Sequence, residues 1–221
     1  MIKIINFNKE NQKLSFITDM NINLANSIRR SVLEIPTMAI DEVEIIKNDS
    51  ALYDEVLAHR LGLIPIKTEK SDKEIKFKLK ETGPKIVYSK DIKPSTKTEE
   101  DFPIVLLDKD QEIEMVCEAR LGKGIEHVKY SPGLVFYRHY LDPKILDFVH
   151  VDKKVDYDEE ELKIKKLSEE QKKKIKNVKE ANELEFSIES WGQLTAKDIF
   201  LNAIDALNDN LKELDKAISK L

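Results

Sequence analysis

The feature that most constrains this 221-residue chain lies at its C-terminal end, where Phe200, Ile204, Leu207, Leu211, Leu214, Ile218 and Leu221 recur at alternating spacings of four and three. That spacing keeps one apolar seam on one side of an α-helix; a strand cannot satisfy it, because successive strand residues face opposite ways. Thr195 and Asp198 resemble a capping box, with Asp in place of Glu, and mark the helix start. At 1.5 Å per residue a helix over 196 to 221 would be roughly 39 Å long, more than the width of a small folding unit. Two arrangements satisfy such a seam. Either all of it packs on the chain's own sheet, or part of it lies on another chain.

A second amphipathic segment sits near the start. LANSIRRSVLEIP, residues 24 to 36, carries Leu24, Ile28, Val32 and Ile35 on one face and ends at Pro36. Arg29 stands beside that face and Arg30 nearly opposite it. Ordinary helix physics explains such cations, since the macrodipole favours them late in a helix and their stems cover apolar surface. Spacing alone favours that ordinary packing over a partner site.

The remaining periodicity is that of strands. Ile2, Ile4, Phe7, Leu14, Phe16 and Ile17 flank the polar break NKENQ as two strands around a turn. AIDEVEII alternates after Pro36, and NDS makes a turn whose Ser50 is a candidate cap for a helix over ALYDEVLAHRLG. From about 70 to 150 the pattern is β-rich: EIKFKLK, EIEMVCEARL and GLVFYRHY alternate, and the loops between them hold most of the prolines. Residues 152 to 180 are a charged stretch with few apolar positions, with Ser168 and Gln171 available to cap a thin helix, and ELEFSIES alternates again. With 41% hydrophobic and 36% charged residues, a core can form beneath an unusually ionic surface. The expected class is α+β.

Few residues carry a recognisable chemistry. The single cysteine, Cys117, falls on the apolar side of a strand and excludes an internal disulfide. His59, His127, His139 and His150 have no second ligand at metal spacing. LGKGIEH lacks the spacing and terminal Ser/Thr of a phosphate-cradling loop, and Asp156 with Asp158 reads as part of a solvated acidic run. Arg120, Lys123, Lys129, Arg138 and His139, interleaved with Tyr130, Phe136, Tyr137 and Tyr140, form the one candidate nucleic-acid surface, opposed by a net charge of −5. Apolar runs are too short for a membrane span, and an N-terminus without a signal core fits a cytoplasmic chain. A chain with an overlong seam and no assembled active site fits an assembly component better than an enzyme.

LANSIRRSVLEIPTMAIDEVEI, N-D-S, DEVLAHRLGLIPI, ARLGKGIEHVKYSPG and FSIESWGQL, in that order along nearly the whole chain, resemble the α-like subunits of DNA-directed RNA polymerase, and within them the archaeal D-type branch. The resemblance implies a dimerisation domain of an antiparallel sheet plus two helices, split over 1–47 and 182–221, with a β-rich insert over 48–151 and a charged excursion over 152–181. It implies a non-catalytic subunit of a nucleotidyltransferase complex, heterodimeric with the small α-like subunit L. That pair would be the platform for the second-largest subunit and the small subunits N and P. Leu24, Ile28, Arg29, Arg30, Val32, Phe200, Ile204, Leu207, Leu211, Leu214 and Ile218 become the expected partner-binding residues, with the arginines facing the second-largest subunit. Many members of the branch carry a cysteine-rich iron–sulfur domain where this chain has its cysteine-free 152–181 stretch, so no cofactor is expected. A homodimeric α-type subunit and a nucleic-acid-binding β domain are the alternatives.

Overall fold

The computed structural model describes residues 2–8, 12–68, 74–98, 100–140 and 183–220. The 152–181 excursion, His150 and Leu221 lie outside them. The elements in chain order are β1 (Ile2–Asn8), β2 (Lys13–Thr18), α1 (Ile22–Ser31), β3 (Pro36–Asn48), α2 (Asp54–Gly62), β4 (Ile75–Thr82), β5 (Lys85–Tyr88), β6 (Pro103–Leu107), β7 (Glu112–Lys123), β8 (Gly133–His139), β9 (Leu184–Ser190) and α3 (Ala196–Ile218). They form three sheets, ordered β1-β2-β9-β8, β3-β7-β4 and β5-β6, and every pairing is antiparallel.

The four-stranded sheet joins the two ends of the chain. β2 runs directly against β9, with Phe16 opposite Phe186, and β8 places Tyr137 opposite the same Phe186. The rings of Phe16 and Phe186 stack at 5.4 Å, and Phe200 of α3 meets both edge-on at 5.1 and 5.8 Å. Ile28, Val32, Ile35, Leu184, Ile188, Ile199 and Ala203 close this core. Its helices start as their caps dictate: Asn21 accepts from the Asn23 N–H at 2.8 Å, and Thr195 from the Asp198 N–H at 3.1 Å.

The second core lies under β3-β7-β4, where Met38, Ile40, Phe77, Leu79, Ile113, Met115, Cys117 and Ala119 face Leu57 and Leu61 of α2. The alternation expected for β4 and β7 is therefore a half-buried face with lysines and glutamates outside. Gly122 is required here by packing: a Cβ at this position would sit 2.5 Å from the Tyr130 ring.

Strand pairing departs from the expected domain boundaries in two places. β3, expected with the dimerisation domain, pairs with β7 from Pro36 to Asn48 and contributes Met38 and Ile40 to the second core. β8, expected with the insert, pairs with β9 because Val135 and Tyr137 match the aromatic face of that strand. Alternation reports that a strand is half-buried and leaves open which core it faces. The expected Ser50 cap is also corrected. Tyr53 is the N-cap of α2 and makes no side-chain cap, while the Ser50 hydroxyl donates to Asn48 Oδ1 at 2.6 Å within the preceding turn. The first helix begins two residues before Leu24 and ends at Ser31, and Val32–Glu34 continue as a 3-10 turn.

The two units are tied by the chain itself. The Thr68 N–H donates to Gln193 O at 2.9 Å and the Ile125 N–H to Leu33 O at 3.1 Å.

Candidate partner-binding surface

α3 is 23 residues long, about 34 Å. Its first half is held by the sheet: Ala196, Ile199 and Ala203 are buried, and Phe200, Ile204 and Leu207 are half-buried against the aromatic core. After Leu207 the sheet runs out. Every described residue from 208 to 220 is exposed, and the seam residues Leu211, Leu214 and Ile218 keep 55%, 56% and 59% of their surface in water. The heptad spacing thus serves two purposes in one helix. Four-three repeats keep the seam in line, so an apolar stripe about 16 Å long continues past the fold that anchors it.

The sheet adds a second uncovered area. β1 is an edge strand whose Ile2 and Ile4 stand opposite Thr18 and Phe16, which puts them on the face that α1 and α3 cover elsewhere. They are nonetheless 59% and 63% exposed. Exposed apolar surface of this kind on a chain with a formed core is a candidate interaction site. Sequence reasoning did not place Ile2 and Ile4 in this site, although their alternation on a terminal strand was visible; what was missing was that the strand is an edge.

α1 supplies less than expected. Ile28 and Val32 are buried in the chain's own core, as is Ile35, so they shape the surface from behind; Leu24 is half exposed and Ile22 stands beside it. The stripe turns inward because Ala25, Ile28 and Ser31 face the sheet, and Leu24 falls on its margin. Of the two arginines, Arg29 donates from Nε and Nη2 to Asn26 Oδ1 at 3.2 and 2.9 Å. Arg30 is exposed and makes no ion pair among the described residues.

The candidate nucleic-acid cations are brought together only in part, and where they meet they are neutralised. Asp41 of β3 binds both Arg120 and Lys129 at 2.5 Å and accepts from the Tyr130 hydroxyl at 3.0 Å. Hydrogen bonds from Lys129 and then Arg120 hold its carboxyl well below the usual range, while burial and then Asp41 push the Tyr130 phenol up to about 12. Lys123 pairs with Glu34 at 3.3 Å, and Arg138 sits on the other sheet, bound to Glu185 at 2.8 Å. This is an internal clasp rather than a phosphate-tracking groove. LGKGIEH likewise packs rather than cradles, with Gly122 under Tyr130 and Gly124 against Leu33. Cys117 is buried, and desolvation pushes its thiol up to about 11. No described helix is long and apolar enough to cross a membrane, and no three described His, Cys, Asp or Glu residues are grouped as metal ligands.

Residues 16–211 match the family model described as the RNA polymerase Rpb3/Rpb11 dimerisation domain. The chain is 32% identical to DNA-directed RNA polymerase subunit Rpo3 of Pyrococcus furiosus, with 96% of this chain and 94% of that protein aligned. It is 39% identical to the Rpo3 subunit of Pyrococcus horikoshii over 70% of this chain, and 42% identical to that of Methanocaldococcus jannaschii over 58%. The chain spans 64% of the length of the Pyrococcus horikoshii relative and 70% of the Methanocaldococcus jannaschii one.

Proposed function

The chain belongs to the RNA polymerase Rpb3/Rpb11 dimerisation family, and from that membership and its uncovered apolar face we propose that it is a non-catalytic assembly subunit of DNA-dependent RNA polymerase. The observation that carries the assignment is α3 itself: one seam, buried to Leu207 and bare from Leu211 to Ile218. A second helix of similar pattern laid along that seam and over Ile2 and Ile4 would complete the core of the four-stranded sheet. The small α-like subunit L is the proposed owner of that helix. The dimerisation unit then comprises β1, β2, α1, β8, β9 and α3, and the insert comprises β3 to β7 with α2.

Arg29 and Arg30 lie on α1 away from the uncovered sheet core and are offered to the second-largest subunit; the small subunits N and P join the same platform. The chain brings no catalytic group to nucleotidyl transfer and no iron–sulfur cluster, since such clusters need several thiolates and Cys117 is its one, buried, cysteine. Stoichiometric iron absorbance in the purified chain would overturn the last point.

Co-expression with subunit L is expected to give a one-to-one complex by light scattering, while the chain alone self-associates through the bare seam. A well-behaved monomer that ignores subunit L would overturn the assignment. A stable dimer of the isolated chain that excludes subunit L would replace it with an isologous, α-type homodimer.

A further inference from the structure

Away from the α1 and α3 face, between the two sheets, lies a cleft of about 720 Å³. Its walls include Leu63, Pro65, Phe102 and Val128, and Trp191 stands at it 48% exposed. Gln193, only 4% exposed, also lines it. The Gln193 Nε2 donates to Ser131 O at 3.3 Å, which fixes the amide's orientation, because the opposite flip would set two acceptors against each other. Gln193 Oε1 is thereby left without a hydrogen-bond donor, buried in the wall rather than open to the cleft, a condition that costs free energy.

The charges of the cleft point the same way. Lys13 is paired with Glu189 at 2.9 Å and Lys129 with Asp41, so both cations are compensated. Asp101 is bound to Lys90 at 2.8 Å, whereas its neighbour Glu100, which lines the cleft and is exposed, has no ion pair among the described residues. The unmet group on the cleft surface is therefore a carboxylate, beside an exposed indole and an apolar wall. On a chain of net charge −5, the complementary occupant is a cation that carries several donors and a flat face.

We propose that this cleft receives an arginine side chain from an extended segment of a partner polypeptide, with the guanidinium stacked on Trp191 and donating to Glu100, and the stem against Leu63 and Val128. Arginine fits better than lysine because its planar fork meets both oxygens of one carboxylate while stacking on an aromatic face. The inference rests on the chain being a polymerase subunit only for the source of the segment; the cleft chemistry stands apart from it.

Trp191 is the sole tryptophan, so 5-fluorotryptophan labelling of the chain in its complex with subunit L, or of the full chain alone if that complex does not form, gives one resonance at the cleft. Titration with the peptide acetyl-Val-Arg-Val-amide is expected to shift that resonance to saturation, and the citrulline peptide to bind at least about tenfold more weakly, having lost the charge-assisted bonds. Glu100→Gln, an exposed change that leaves the fold intact, should weaken the arginine peptide by a similar factor. In reconstituted polymerase the arginine peptide should no longer shift the resonance, because the partner's arginine already occupies the cleft. No shift with the arginine peptide, equal shifts with citrulline, or full peptide binding in the assembled polymerase would each overturn the proposal. Failure to pair with subunit L would instead count against the assembly assignment and leave the peptide titration readable.

Discussion

The two halves of α3 share one periodicity and meet opposite fates. Phe200, Ile204 and Leu207 pack against an aromatic core built from β2 and β9, whereas Leu211, Leu214 and Ile218, at the same spacings, stay more than half exposed. The difference teaches that an apolar seam states a need for cover and not its source. What decides the source is the length of the sheet beneath it: strands of six and seven residues end about 20 Å along, and the helix does not.

Substitutions in each half give the sharpest test of that contrast. Phe200→Ala removes an edge-to-face partner of both Phe16 and Phe186 and should destabilise the folded chain by about 3 kcal/mol, the low end for a core aromatic because Phe200 is only half-buried. Denaturant unfolding measures it. The double change Leu211→Ser and Leu214→Ser should shift the same unfolding by less than about 1 kcal/mol, as for exposed sites. Its effect should appear in pairing, with affinity for subunit L reduced at least about a hundredfold, as for apolar anchors at the centre of an interface. If the fold suffers and pairing does not, the two halves have been assigned in reverse.

A smaller effect separates the face of the seam from the face of the arginines. Arg30→Ala is expected to leave the complex with subunit L intact while weakening capture of the second-largest subunit by about tenfold, the cost of one interfacial arginine. Gel filtration of the two assemblies distinguishes the outcomes, and loss of the subunit L complex would place Arg30 on the dimer side.

The Asp41 clasp provides the mildest test, in the insert. Because the folded state holds this carboxyl below its ordinary range, through Lys129 first and Arg120 next, it contributes stability that is fully present above the unfolded value near pH 4 and is lost as pH falls toward the folded one. Asp41→Asn should therefore lower stability at pH 7 and flatten the acid limb of the stability curve below about pH 4, the region where the unfolded chain binds the extra proton. An unchanged acid limb would show that the clasp contributes nothing to the linkage.

Much of the fold was legible in local pattern. The alternation of Ile113, Met115, Cys117 and Ala119, the Thr195 cap and the long last helix stand where spacing and capping chemistry put them. The assignment of β3 and β8 to their sheets was not legible, since Ile40 and Val135 are buried by partners 79 and 53 residues away in sequence. Nor did any local signal show that Ile28 and Val32 would be consumed by their own core while Ile2 and Ile4 stayed bare, because edge position is a property of the assembled sheet.

By itself, then, the sequence determined the periodicities, the caps, the absence of a thiolate set and the presence of a seam longer than any small sheet, because these depend on neighbours within a few residues. Only the tertiary structure decided which stretch of that seam is covered, which strand lies at the edge, that Arg120 and Lys129 converge on Asp41, and that Glu100, Trp191 and Gln193 meet at one cleft. Those are distances between segments far apart in the chain, and spacing along a helix or strand carries no information about them.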